Sequence, residues 1–341
     1  MIREAIADLV EGRVFDAEAA HRVISEIMSG EATSAQIAAF ITALRMRGES
    51  GEVIAGCARA MREYSSPVPH RAEIVVDTCG TGGDGARTFN ISTASALVAA
   101  GAGATVAKHG NRSVSSRCGS ADVLDALGVA LQLPPPALGE CLDRIGIAFL
   151  FAPNLHPAMR FAIGPRREIG IRSIFNILGP LSNPAGAAYG VMGVFSADMV
   201  RPMAEAAAAL GARRMFVVHG LDGLDEITLT GPTLIGEARE GTVDVYEWTP
   251  EDFGLPRCRP EDLAGGEPEE GARILRAILN GAPGPCRAVV LANAAAALIA
   301  AGIAPTPAEG VERAAQAIDS GAALAKLEVL IETTHALARP S

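Results

Sequence analysis

A short apolar run, Ile74-Val-Val76, leads directly into Asp77-Thr-Cys-Gly-Thr-Gly-Gly-Asp-Gly85, with glycines at 80, 82, 83 and 85. The β-branched run reads as a buried strand end. Glycines that dense leave a loop free to take φ > 0 and to bring its backbone N–H groups close to a ligand. Such groups are a common cradle for phosphate oxygens. A helix is expected over residues 92–102, which completes a strand–loop–helix unit.

On either side of this unit the texture of the chain differs. Residues 2–64 carry only helical periodicity, as in Ile2, Ala5, Ile6, Leu9 and Val10, and Thr33-Ser-Ala-Gln36 matches a capping box. Ser65-Ser-Pro-Val-Pro69 reads as a stiff linker, so a small helical domain is expected over 1–69. From Ile74 onward strands and helices alternate. Strands are expected at 104–107, 147–151, 189–195 and 215–218, with a loop over 108–116 and helices from Ser120 and over 198–210. Residues 228–248 read as a hairpin, and Ala-rich helices over 270–280, 287–301 and 307–319 onward close the chain. The fold class expected is α/β: a small all-helical N-terminal domain, then a large domain over 70–341 with a central, mainly parallel sheet flanked by helices.

The chain has 341 residues and a net charge of −10, which argues against nucleic-acid or anionic-membrane partners. Any anion must then be held by a local cluster of positive charge. The six cysteines (57, 79, 118, 141, 258 and 286) form no CxxC or CxxH pair and read as reduced thiols. With no signal-peptide pattern and no long apolar run, a soluble cytoplasmic protein is expected.

Gly80-Thr-Gly82-Gly-Asp-Gly85 satisfies GxGxxG, yet a dinucleotide site also needs an acid about 20 residues further on. None occurs between Asp84 and Asp122, and the absence of any Gly-Lys dipeptide rules out a P-loop. The acid-free interval instead holds Arg87, Lys108, Arg112 and Arg117. Asn90, Ser92 and Thr93 add polar groups at a helix start, where free N–H groups would make a second phosphate cradle. Lys108-His-Gly-Asn-Arg-Ser-Val-Ser-Ser116 follows a strand and repeats this anion-binding chemistry. The pattern suits a ligand with two separated phosphate groups.

Asp77 to Asp84, Asn90-Ile-Ser-Thr93 and Lys108 to Ser116, in that order and spacing, resemble the signature of the anthranilate phosphoribosyltransferase family. Gly164 to Pro184 and Val218-His-Gly-Leu-Asp-Gly-Leu-Asp-Glu-Ile227 resemble its two further blocks, so the likeness spans nearly the whole chain. Cys79, Cys118 and Ser173 depart from the usual residues without removing a functional group. The resemblance implies transfer of a phosphoribosyl group from phosphoribosyl pyrophosphate (PRPP) to the amine of anthranilate, releasing pyrophosphate in tryptophan synthesis. It implies PRPP contacts at Gly80, Gly83, Asp84, Thr88, Asn90, Ile91, Ser92, Thr93, Lys108, His109, Gly110, Asn111, Arg112, Ser113, Val114, Ser115, Ser116 and Ser120. Anthranilate contacts are implied at Gly80, His109, Asn111 and Arg166, with Arg167 left to surface pairing. Mg²⁺, two ions per subunit, is implied at Ser92, Asp225 and Glu226, an assignment that hard oxygen ligands on a loop after a strand also suit. No residue is expected to act as a covalent nucleophile or as an acid or base. Lys108 and the glycine loop are expected to stabilise the departing pyrophosphate. A homodimer through the helical domain is implied, with helical residues near 165–185 joining that domain in space. Two alternatives stay open: a pyrimidine nucleoside phosphorylase, and a non-catalytic PRPP-binding protein.

Overall fold

The structure, a computed structural model, describes residues 1–113 and 117–338. Four helices open the chain: α1 (Ile2–Val10), α2 (Ala17–Met28), α3 (Ser34–Arg47) and α4 (Gly51–Glu63). Each of the last three starts at a side-chain cap, on Asp16, Thr33 and Ser50, and Thr33 with Gln36 forms the expected capping box. Such caps supply acceptors for N–H groups that the first turn leaves without partners.

The remainder runs β1 (Val76–Asp77), α5 (Ile91–Gly101), β2 (Val106–Gly110), α6 (Ser120–Leu127), α7 (Pro135–Ile145), β3 (Ile147–Phe151), α8 (Ala152–Leu155), α9 (Arg160–Ile169) and β4 (Tyr189–Gly193). It continues α10 (Val200–Ala209), β5 (Arg214–Gly220), β6 (Thr233–Arg239), β7 (Thr242–Trp248), α11 (Pro268–Leu279), α12 (Pro285–Ala300), α13 (Pro307–Asp319) and α14 (Ala322–Ala338). One seven-stranded sheet has the order β3-β2-β1-β4-β5-β6-β7. The first five strands are parallel, and the β6–β7 hairpin extends the edge antiparallel. The expected fold class is therefore the observed one.

Several boundaries differ from expectation: the expected strands 104–107 and 189–195 are Val106–Gly110 and Tyr189–Gly193, and the hairpin begins at Thr233 rather than 228. Two further differences lie at the site. Ile74 is 42% exposed rather than a buried strand residue. Both parallel neighbours of β1 begin level with Val76, at Val106 and Tyr189, so earlier residues have nothing to pair with. Lys108, His109 and Gly110, expected in a loop, lie in β2, paired through Gly110↔Phe151 with β3. Their polarity hid a strand that is buried at Lys108 and His109.

Successive strand residues point to opposite faces, and the two faces serve different cores. Val191, Phe216 and Val218 pack with α5 and α11–α14. Met192, Met215 and Val217 pack with α10, α9 and the four N-terminal helices in one continuous cluster. Helix α4 lies against both α2 and α10, so the bundle is welded to the sheet rather than hung from it.

Candidate active site

Strands β1 and β2 sit at the centre of the sheet, and the polar chemistry gathers beyond their carboxyl ends, where open α/β sheets bind ligands. Gly82, Gly83 and Gly85 have φ of 65°, 84° and 76°, a conformation that side-chain-bearing residues rarely adopt. The loop base is pinned, since the N–H of Thr81 donates to the carbonyl of Gly193 (2.8 Å) and that of Gly82 to Asp225 Oδ2 (2.8 Å). The next three N–H groups, of Gly83, Asp84 and Gly85, donate to no protein acceptor among the described residues. They are the unbonded part of the cradle.

Beside it is a carboxylate cluster. The N–H of Asp225 reaches Asp84 Oδ2 (3.4 Å), and Glu226 Oε1 accepts from the N–H of Ser92 (3.0 Å). Burial and then the Asp84 charge push Asp225 up to about 7. Burial and the neighbouring Asp225 raise Glu226 well above the usual carboxylate range. Crowded, partly buried carboxylates of this kind favour a proton or a cation between them. A small divalent ion with hard-oxygen preference fits the donor set. Asp84, expected as a phosphate contact, thus belongs spatially with the acids.

Lys108 is 4% exposed, and its Nζ donates to the carbonyl of Thr78 (3.0 Å). Its positive charge acts on both Asp77 and Glu226. Asp77 accepts from the N–H of His109 (3.1 Å) and from Asn183 Nδ2 (2.7 Å), and burial holds its carboxyl up at about 6. Asp77, Thr78 and Asn183 therefore orient Lys108 and His109. The sequence assigns them no role, although all three fall inside the blocks that carry the resemblance.

The helix start differs from expectation. In α5 the N–H groups of Ile91, Thr93 and Ala94 donate to carbonyls at 89 and 90, and that of Ser92 to Glu226. No run of free N–H groups remains in its first turn, where Glu226 and backbone carbonyls already serve as acceptors. Asn90 bonds through its side chain to Cys118 instead, and Thr93 Oγ1 is buried without a partner. Ile91 is buried in the core, and Thr88 makes a single bridge to Ala264.

One cation of the acid-free interval is already taken up by acids. Arg112 turns to Asp122 and Asp125 (2.9 Å each), acids just beyond that interval. Asn111 accepts from the N–H of Arg112 through its side chain (2.7 Å) and from Ser120 Oγ through its carbonyl (3.3 Å). The N–H of Ser113 donates to Asp122 (2.9 Å). Gly110 ends β2, next to this loop. Val114, Ser115 and Ser116 lie outside the described residues.

His109 is buried, with Nδ1 donating to the carbonyl of Gly179 (3.1 Å) and Nε2 without a partner. Its ring lies 5.1 Å from that of His156, whose two ring nitrogens are also buried and unpartnered. Burial pushes His109 down to about 4 and, with the His109 ring beside it, His156 down to about 3. Unfolded histidines take up protons near pH 6.5, so stability contributed by these neutral rings is lost as pH falls below that value. Asp77, raised to about 6, works in the opposite sense between pH 6 and 4. His156→Phe should therefore shrink the loss of unfolding free energy between pH 7 and 4.5 by about 2 kcal/mol, read from urea melts at the two pH values. An unchanged difference would count against a neutral buried ring.

Arg166 on α9 is half-buried, and its guanidinium lies 5.5 Å from the ring centroid of Phe175. No carboxylate pairs with it among the described residues, and burial lowers its pKa. A desolvated guanidinium with no acid beside it is prepared for a carboxylate from elsewhere.

Residues 3–65 match the helical bundle domain of the Glycosyl transferase family, and residues 72–324 match its a/b domain. The protein is thus an enzyme of the glycosyltransferase class. An anthranilate phosphoribosyltransferase of Moorella thermoacetica is 54% identical over 97% of this chain and 98% of its own. The crystal structure of the Thermus thermophilus anthranilate phosphoribosyltransferase superposes with a TM-score of 0.92 at 45% identity, covering 97% of this chain and 99% of the other. The Saccharomyces cerevisiae enzyme in complex with PRPP and Mg has a TM-score of 0.90 at 28% identity, over 98% of both chains. It has also been solved in complex with 4-fluoroanthranilate (TM-score 0.88, 28% identity, 98% of both chains). The chain belongs to the anthranilate phosphoribosyltransferase family.

Proposed function

We infer that the protein transfers the 5-phosphoribosyl group of PRPP to the amine of anthranilate, giving N-(5-phosphoribosyl)anthranilate and pyrophosphate. The observation that carries this reading is the run of open N–H groups at Gly83–Gly85 in the loop that Asp225 pins, with the Asp84, Asp225 and Glu226 carboxylates gathered there and the Lys108 charge acting on Glu226. Departure of pyrophosphate from C1′ leaves an oxocarbenium-like ribosyl centre and gathers negative charge on the leaving group. Fixed backbone donors and the Lys108 ammonium stabilise that charge as it forms. Asp84, Asp225 and Glu226, with Ser92, would hold Mg²⁺, two ions per subunit. Bound there, the metal would neutralise the pyrophosphate oxygens.

Gly80, Thr88, Asn90, Ile91, Thr93, the segment from His109 to Ser116, and Ser120 complete the donor site in this reading. Arg166 pairs with the anthranilate carboxylate, while Gly80, His109 and Asn111 line the acceptor. An arylamine is already neutral near pH 7, so positioning can replace a strong base. The remaining features of the reading are a cytoplasmic homodimer in tryptophan synthesis, with the domain boundary between 69 and 70.

Mixing the protein with Mg²⁺, PRPP and anthranilate should quench anthranilate fluorescence with release of pyrophosphate. No turnover would overturn the reading. Arg166→Glu should raise the KM for anthranilate by about 100-fold, the scale of a lost charge-assisted pair, and that for PRPP far less. Equal effects on both would misplace the acceptor site.

A further inference from the structure

Arg172 lies in the chain between α9 and the single turn Ile174–Asn176. Its backbone is flanked by a helix end on one side and a capped turn on the other. Gly170 ends α9 with φ of 64°, and Asn176 Oδ1 accepts from the N–H of Ser173 (3.0 Å). The guanidinium carbon stands 4.5 Å from the ring centroid of Phe195, two residues beyond β4. That ring is tied to the glycine loop through Gly193, whose carbonyl accepts from the N–H of Thr81.

The same guanidinium lies beside Gly83 of the glycine loop. A Cβ built on Gly83 would lie 3.9 Å from its Cζ and 4.0 Å from its Nε. Gly83 is also the first of the three loop residues whose N–H groups find no protein acceptor. Arg172 is exposed, and among the described residues no carboxylate pairs with it. Asp84, Asp225 and Glu226 all lie beyond ion-pair reach, and the Arg45–Glu49 pair (3.4 Å) is closed on itself. A cation–π shelf fixes the plane of a guanidinium and leaves its in-plane N–H donors unused. A guanidinium with free donors thus stands beside three unused backbone donors, an arrangement suited to one anion.

We propose that Arg172 binds the pyrophosphate end of PRPP from the solvent side of the glycine loop, held in place by Phe195. This rests on the PRPP reading above. The pyrophosphate, rather than the 5′-phosphate, is its partner because the loop beside it also adjoins the carboxylates suited to Mg²⁺. No bond is made or broken by Arg172; it supplies charge and forked hydrogen bonds to the group that departs.

Arg172→Ala should raise the KM for PRPP, and the Kd for Mg²⁺-pyrophosphate read by calorimetry, by about 10- to 100-fold. The anthranilate KM should move by less than about threefold. Arg172→Lys should recover only part of the loss, because a point charge lacks the fork. Phe195→Leu should give a smaller loss of the same kind, since the charge remains without its shelf. Arg172 is exposed, so unchanged melting temperatures are expected for its variants and separate binding from folding. PRPP and pyrophosphate constants within about twofold of wild type in folded Arg172→Ala would overturn this inference alone. Wild-type protein that binds neither ligand would overturn the PRPP reading itself.

Discussion

Lys108→Met should lower kcat by about 100- to 1,000-fold, the range seen when one fixed donor to a developing negative charge is removed. The buried ammonium is held by the Thr78 carbonyl and its charge acts on both Asp77 and Glu226, a position that the exposed Arg172 does not occupy. Stopped assays following anthranilate fluorescence at saturating PRPP and anthranilate would measure the effect. The variant should also melt lower, because Asp77 loses the positive charge that offsets its burial. A folded variant retaining more than about a tenth of wild-type kcat would exclude Lys108 from transition-state stabilisation.

The double variant Asp225→Asn, Glu226→Gln should abolish detectable turnover and, without Mg²⁺, melt higher than wild type at pH 8. The second effect follows from the sign of the shifts. An acid raised in the folded state costs stability once the pH passes its unfolded value near 4, and the cost is complete above the folded value, about 7 for Asp225. Amides remove that cost while keeping shape and hydrogen-bonding capacity. A gain of about 2 °C or more is expected. Added Mg²⁺ should raise the melting temperature of wild type at pH 8 and leave the variant unmoved. A variant that melts lower in the absence of Mg²⁺ would mean that the carboxylates hold the loop by hydrogen bonds that amides cannot replace, with no repulsion to relieve.

The fold was legible where local chemistry is strong. Thr33 and Gln36 announced a helix start because a capping box satisfies two donors reciprocally. The β6–β7 hairpin was legible from its Glu-Gly break, and Glu240 and Gly241 there have φ of 48° and 86°. Lys108 and His109 were misplaced in a loop because charge usually marks solvent. Here Thr78, Asp77 and Gly179, distant in sequence, satisfy that polarity inside the sheet. The chemistry of the site was legible as a list of groups and less so as their arrangement. Arg112 is taken up by acids just outside the interval that singled it out, and Glu226 occupies a helix N-terminus expected to receive phosphate. Pairings over such separations depend on how the sheet is ordered, and no local pattern encodes that order.

The shared core beneath the sheet carries a consequence for how this chain can diverge. Ile174, Leu178, Met203 and Met215 are fully or nearly buried in one cluster with Ile24, Ile41 and Ile54 of the first four helices. A recombination event that exchanged only the N-terminal segment with a distant relative would mismatch shapes along that whole seam. Functional chimeras should therefore be recovered more often when residues 158–181 and α10 travel with the segment than when it travels alone. The unit of inheritance is set by a packing surface, not by the proline linker that interrupts the sequence.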